Sequence, residues 1–177
     1  VCAVLACRCE PEKFKDIMLN LDLSSITKDT NVLKEMYNFY EYRGLYSTRN
    51  LRKLYSNVIK EIVGKKDITF KEVYDTYGTH LAMTGTDVET FKTAYFDRIN
   101  TPDMSIIDAC IYSASVPFLF ESDEYIDGGV LNNYPIDYMQ NLIGIENTVG
   151  LKFKRPEIKI KYDKNIVGFT HMVADMI

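Results

Sequence analysis

The residues best placed to do chemistry lie in the stretch Tyr125-Ile126-Asp127-Gly128-Gly129-Val130-Leu131-Asn132-Asn133-Tyr134-Pro135. A short apolar run delivers one carboxylate, Asp127, to a glycine pair, and a proline-started helix begins almost at once. Asp-Gly alone is a common hairpin turn. Here no return strand follows, so the turn reads as a βα junction, where α/β folds keep their ligand-binding and catalytic groups. Gly128 and Gly129 would permit positive φ or close passage by another segment. Asn132 and Asn133 can cap the next helix and tie down the turn. A carboxylate held in one rotamer at such a junction suits a general base.

A base needs a nucleophile. The serines are Ser24, Ser25, Ser47, Ser56, Ser105, Ser113, Ser115 and Ser122, and none sits in a G-x-S-x-G elbow. Ser113 and Ser115, near the end of a helix, read as small packing residues. His80 and His171 stand in unrelated contexts, neither in H-E-x-x-H nor beside a cysteine, and receive no catalytic role. A Ser-His-Asp triad cannot be assembled from these residues. Cys2, Cys7 and Cys9 crowd the N-terminus and Cys110 stands alone in an apolar run. With no histidine nearby to complete a zinc set, they read as buried or half-buried thiols of a reducing compartment. Neither a metal nor a cofactor is expected.

The elements that must position Asp127 follow from periodicity. A short apolar helix runs from Val1 and stops near Arg8. A second opens at Pro11 and buries Phe14, Ile17, Met18 and Leu21. Residues 31–46 are rich in aromatics without clean period and read as a helical excursion plus loop, with core packing the expected fate of most rings. Leu51, Leu54, Tyr55, Val58, Ile59, Ile62 and Val63 form the strongest helical stripe, capped by Ser47 or Thr48 and stopped by Gly64. Thr69 and Glu72 make a capping box for a helix closed at Gly78. Residues 80–84 and 88–96 read as strands around a Gly85 turn. A helix from Ser105 ends by Pro117, a brief strand runs into Asp127, a helix covers 135–142 and a strand covers 147–153. Helices alternating with short strands predict one three-layer α/β domain over residues 1–177, with a largely parallel sheet.

Composition narrows the classes. The chain has 177 residues, enough for one domain with a real core. A net charge of −4 argues against a nucleic-acid partner. The local exception is the basic run Lys152, Lys154, Arg155, Lys159, Lys161 and Lys164. Its alternation reads as a strand with one wet face, with a rim facing anionic lipid as the sharper alternative. No apolar stretch approaches the roughly 20 residues of a membrane span, and no signal peptide is evident. The chain is already in a helical pattern at Val1, as for a chain entered partway through a domain. The expected location is the cytoplasm or a membrane periphery.

The run Ile106-Ile107-Asp108-Ala109-Cys110-Ile111-Tyr112-Ser113-Ala114-Ser115-Val116-Pro117-Phe118-Leu119-Phe120, followed by Asp127-Gly128-Gly129 and Asn132-Asn133-Tyr134-Pro135, resembles the patatin-like phospholipase family. That family carries A-x-x-A-S-x-x-x-P-x-x-F and then D-G-G-x-x-x-N-x-P. Thr69-Phe70-Lys71-Glu72-Val73-Tyr74 and Thr101-Pro102-Asp103-Met104 are similar to its secreted bacterial effector branch, which hints at delivery into another cell. The likeness is specific over residues 69–135 and diffuse elsewhere. It implies a three-layer α/β/α fold and a Ser-Asp dyad that cleaves fatty acyl esters of phospholipids or neutral lipids, without histidine or cofactor. Asp127 matches the dyad aspartate. The family's G-x-S-x-G elbow and glycine-rich oxyanion loop are not in these residues. The first helix is similar to the one that follows that elbow, which puts the serine a few residues before Val1. The N-terminal strand, glycine-rich loop and elbow are therefore expected upstream, and the 177 residues alone are expected to be inactive. Expected partners are a phospholipid or neutral lipid ester and a peripheral membrane surface. The alternative is a catalytically incomplete patatin-fold module that binds lipid or a protein.

Overall fold

In a computed structural model of the protein, residues 1–27 and 31–151 are described, together with Gly168. Local signals account for most helices. Helix α1 spans Cys2–Ala6. Helix α2, Pro11–Leu19, starts on a proline, whose missing N–H would have had no helical partner there. In α3, Val32–Tyr42, the Asn31 side chain accepts from Lys34 N. The stripe around Leu51 forms α4, Arg49–Val63, closed by Gly64 at φ 81°. The Thr69–Glu72 capping box is complete on α5, Phe70–Tyr77, and Gly78 closes it at φ 66°. Ser105 caps α6, Ile106–Tyr112, by accepting from Asp108 N. Two further helices, α7 over Gly129–Asn132 and α8 over Ile136–Ile143, follow the glycine pair. Single 3-10 turns cover Leu23–Ile26 and Ile145–Asn147.

Among the described residues five strands make two sheets. Strands β1, Gly44–Tyr46, and β4, Phe118–Phe120, pair in parallel. Strands β2, Ala82–Asp87, β3, Lys92–Asp97, and β5, Tyr125–Asp127, form an antiparallel sheet in the order β3-β2-β5. The architecture is α/β. Among the described residues, parallel pairing is confined to β1 and β4, which the intervening helices and hairpin join by a long crossover. Strands β2 and β3 are joined by residues 88–91 alone, and a parallel connection needs a dozen residues or more.

The hairpin turn lies at residues 88–91 and not at the glycine that suggested it. Gly85 is inside β2, paired with Ala94, and a Cβ there would meet the Phe96 ring at 2.7 Å. The chain reverses after Asp87, whose Oδ1 accepts from Glu89 N and Thr90 N at 2.9 Å each, and Phe91 completes the loop at φ 53°. Strands β1 and β4 escape periodicity because three residues cannot show alternation. The aromatics of α3 are not core: Leu33, Met36, Tyr37 and Tyr40, spaced i, i+3, i+4, i+7, form an outward stripe, with Leu33 80% and Tyr40 87% exposed. No strand begins at 147, where a 3-10 turn ends and residues 148–151 are irregular. The remainder of that segment, the basic run 152–164 and His171 lie outside the described residues.

The core gathers on α6, a helix apolar nearly all round, with Ile106, Ile107, Ala109 and Ile111 buried. Phe70 and Val73 of α5, Leu51 and Ile59 of α4, Ala3 and Ala6 of α1 and Phe96 of β3 pack around it. Each fully buried large side chain contributes about 1.5–3 kcal/mol. The rings of Phe96, Tyr112 and Tyr125, with centroids 5.0–5.9 Å apart, fix β5 against α6 and so set where Asp127 emerges.

Candidate active site

Asp127 is the last residue of β5, and its backbone is tied on three sides. It lies opposite Gly85 in the β2 register, its N–H donates to the Ser115 carbonyl at 2.9 Å, and its own carbonyl accepts from the Thr86 hydroxyl at 3.0 Å. Its side-chain Oδ1 accepts from Gly129 N at 2.7 Å, so an amide at the start of α7 selects the rotamer. Neither glycine of the pair has positive φ, and Gly128 works by close approach. Gly128 is right-handed at φ −62°, and a Cβ on it would lie 2.3 Å from Thr84 Oγ1 and 2.5 Å from Thr84 O.

The Asp127 carboxyl is half-buried. Burial pushes it above its usual value, and the Gly129 N–H pulls the other way without cancelling it. Its field reaches Tyr55 on α4, whose phenol is pushed up to about 12 by burial, with Cys110 and Asp127 adding to the shift. Tyr55 is part of the wall of an apolar cavity of about 610 Å³. Val1 and Cys2 of α1, Met83 and Thr84 of β2, and Pro135 also line it. Asp127 itself is not in the wall. Its neighbour Gly128 packs on Thr84, which is in the wall.

The serines do not complete the site. Ser115 is buried and its hydroxyl donates to the Ile111 carbonyl at 2.7 Å, while its backbone holds Asp127. Ser113, at the end of α6, lines the cavity. Among the described residues no serine hydroxyl bonds the Asp127 carboxylate. The four thiols are free, and burial lifts Cys110 to about 11, making it a poor nucleophile.

His80 belongs to a different cluster. The Tyr138 hydroxyl donates to Asp97 Oδ2 at 2.9 Å and lies 2.7 Å from His80 Nε2, and Arg98 Nε donates to His80 Nδ1 at 3.0 Å. Asp97, fully buried, also accepts from Ile99 N, Asn100 N and Asn100 Nδ2. Burial alone would raise it, but these bonds outweigh burial and hold its carboxyl below the usual range. Sequence reasoning missed this cluster. The Asp97-to-Asn100 spacing signals only a side-chain-to-backbone turn, and Tyr138 lies 41 residues from Asp97.

Fold and site define an α/β domain with a half-buried carboxylate at a strand-to-helix turn next to an apolar cavity. The chain belongs to the patatin-like phospholipase family, whose profile matches residues 1–139. Over 158 residues it is 28% identical to an uncharacterised protein of Acanthamoeba polyphaga mimivirus, a match covering 86% of this chain and 50% of that one. Over 99 residues it is 34% identical to a protein of Invertebrate iridescent virus 6 named as a probable lipid hydrolase, covering 53% of this chain and 34% of that one. The chain thus spans half or less of the length of these curated relatives. No solved structure matches it.

Proposed function

We propose that the whole protein is a lipid acyl hydrolase in which Asp127 is the general base of a Ser-Asp dyad and the serine precedes Val1. The observation that carries this reading is the Asp127 carboxylate, locked by Gly129 N–H in a turn that matches the family's D-G-G and whose Gly128 packs on the cavity-lining Thr84. Val1 and Cys2 line the same cavity, which supports a serine shortly before them. The serine oxygen attacks the ester carbonyl and its proton passes to Asp127. The tetrahedral adduct then collapses, the alcohol departs with that proton, and an acyl-enzyme remains. Water activated by Asp127 releases the fatty acid. Upstream glycine N–H groups would hold the oxyanion, each worth roughly 3–4 kcal/mol in comparable hydrolases. The apolar cavity suits an acyl chain, and the outward stripe of α3 suits contact with a lipid surface.

The test is Asp127→Asn in the whole protein. The amide keeps an acceptor for Gly129 N–H but cannot take a proton at neutral pH. Ester turnover should fall by at least about 100-fold, the lower range for a general base, with the circular dichroism spectrum unchanged. Wild-type turnover in the folded variant would refute the dyad.

A further inference from the structure

Helix α8 is held differently from its neighbours. None of its residues is fully buried, so it lacks the apolar anchoring that fixes α4, α5 and α6. Pro135, Tyr138 and Met139 nevertheless form one side of the cavity. Its fastening is Tyr138. The ring stacks on Tyr95 of β3, with centroids 4.9 Å apart and planes at 20°, and lies nearly parallel to His80 at 6.2 Å. The hydroxyl reaches Asp97 and His80 on either side.

These bonds leave one arrangement of protons. Tyr138 gives its proton to Asp97, so it accepts from His80 Nε2–H. His80 Nδ1 is then bare and accepts from Arg98 Nε–H. The imidazole is therefore neutral. Burial holds it below its ordinary value, with Asp97 opposing and Arg98 reinforcing that effect. Arg98 is itself pinned, its guanidinium 3.9 Å from the centre of the Tyr74 ring on α5. The chain of contacts runs from α5 through Arg98, His80 and Tyr138 to the buried Asp97, and every polar member is satisfied. Asn132 adds a weaker tie by donating to the Tyr95 hydroxyl at 3.1 Å. The Asp127 turn does not depend on this cluster, since β2, Ser115 and Thr86 already hold it. What the cluster holds is the cavity wall.

We infer that the Tyr138 hydroxyl, clasped between Asp97 and neutral His80, is a positioning group that fixes α8 as the adjustable wall of the cavity and thereby sets which acyl-chain lengths the cavity accepts. The inference rests on the cavity being the acyl site. Tyr138→Phe is the sharp variant: it keeps the ring, its stacking and the wall surface, and leaves Asp97 its other three donors. His80→Leu removes the partner on the opposite side.

The experiment uses the full-length protein loaded with a dansyl-labelled undecanoate, displaced in turn by octanoate, dodecanoate and hexadecanoate. In the wild type the three acids should differ in displacing power. In Tyr138→Phe and His80→Leu alike, the ratio of strongest to weakest should shrink at least about fivefold, the value of one neutral hydrogen bond and less than that of the bond to the Asp97 carboxylate. A fastener of the fold alone would lower the melting temperature and leave that ratio where it was, and this result, or an unchanged ratio with unchanged melting, overturns the inference. Displacement by none of the acids from wild type would remove the acyl-cavity reading beneath it. Because the readout is binding, it is independent of whether Asp127→Asn abolishes turnover.

Discussion

Asp127 carries a cost that its own geometry makes visible. Burial raises its folded value above the usual 3.8, and the one amide at Gly129 only partly offsets this. The native state therefore holds the Asp127 proton more tightly than the unfolded chain does. Its contribution to stability is fully present below 3.8 and is lost as pH rises through the raised folded value. At neutral pH the ionised carboxylate is a net liability to the folded state. Asp127→Asn should consequently melt no lower than wild type at pH 7, and the difference should narrow as pH falls toward 4. Thermal scans across that range check it, and a variant clearly less stable at pH 7 would mean that the carboxylate has unrecognised partners. The same shift predicts an acid limb of kcat/KM whose midpoint lies above 3.8.

At the scale of elements, what could be read from sequence was what short-range chemistry decides. The α5 capping box, the Gly64 and Gly78 stops and the α4 stripe all involve residues within a few positions of one another, and all are present. What could not be read depends on distant partners. The start of α4 is held by Glu121 from beyond β4, whose Oε1 accepts from Ser47 Oγ, Thr48 N and Thr48 Oγ1. Gly85 looked like a turn but is a gap left for the Phe96 ring. The real turn put a phenylalanine where sterics favour glycine or asparagine: Phe91 sits at φ 53° and is 79% exposed. A left-handed conformation costs a residue with a Cβ roughly 1–2 kcal/mol, and asparagine relieves part of it. Phe91→Asn should therefore stabilise the protein by about 0.5–1 kcal/mol without touching the site, measured as a shift in the denaturation midpoint at constant slope. A loss of stability would show that the exposed ring packs on something.

At the scale of the molecule, the proposed dyad is divided: Asp127 lies within the described residues, and the serine proposed to pair with it does not. The D-G-G turn was legible because its spacing to the downstream asparagine and proline is local, and the structure supplies the ties that make it rigid. A nucleophile was not legible, and none of the described serines bonds the carboxylate: Ser115, whose carbonyl accepts from Asp127 N–H, spends its hydroxyl on Ile111 and lends Asp127 only its backbone. Two readings follow, an enzyme completed by residues before Val1 or a patatin-fold module that binds without turnover, and they diverge on one reagent. A fluorophosphonate modifies only a serine activated by a base and an oxyanion site. The whole protein should be labelled stoichiometrically at a single serine before Val1, and Asp127→Asn should slow that labelling. Residues 1–177 alone should remain unlabelled and hydrolyse no ester. Labelling of Ser113, the serine that faces the cavity, would move the nucleophile into this chain. An unlabelled whole protein that still binds fatty acid would make the cavity, and not the carboxylate, the functional part of the fold.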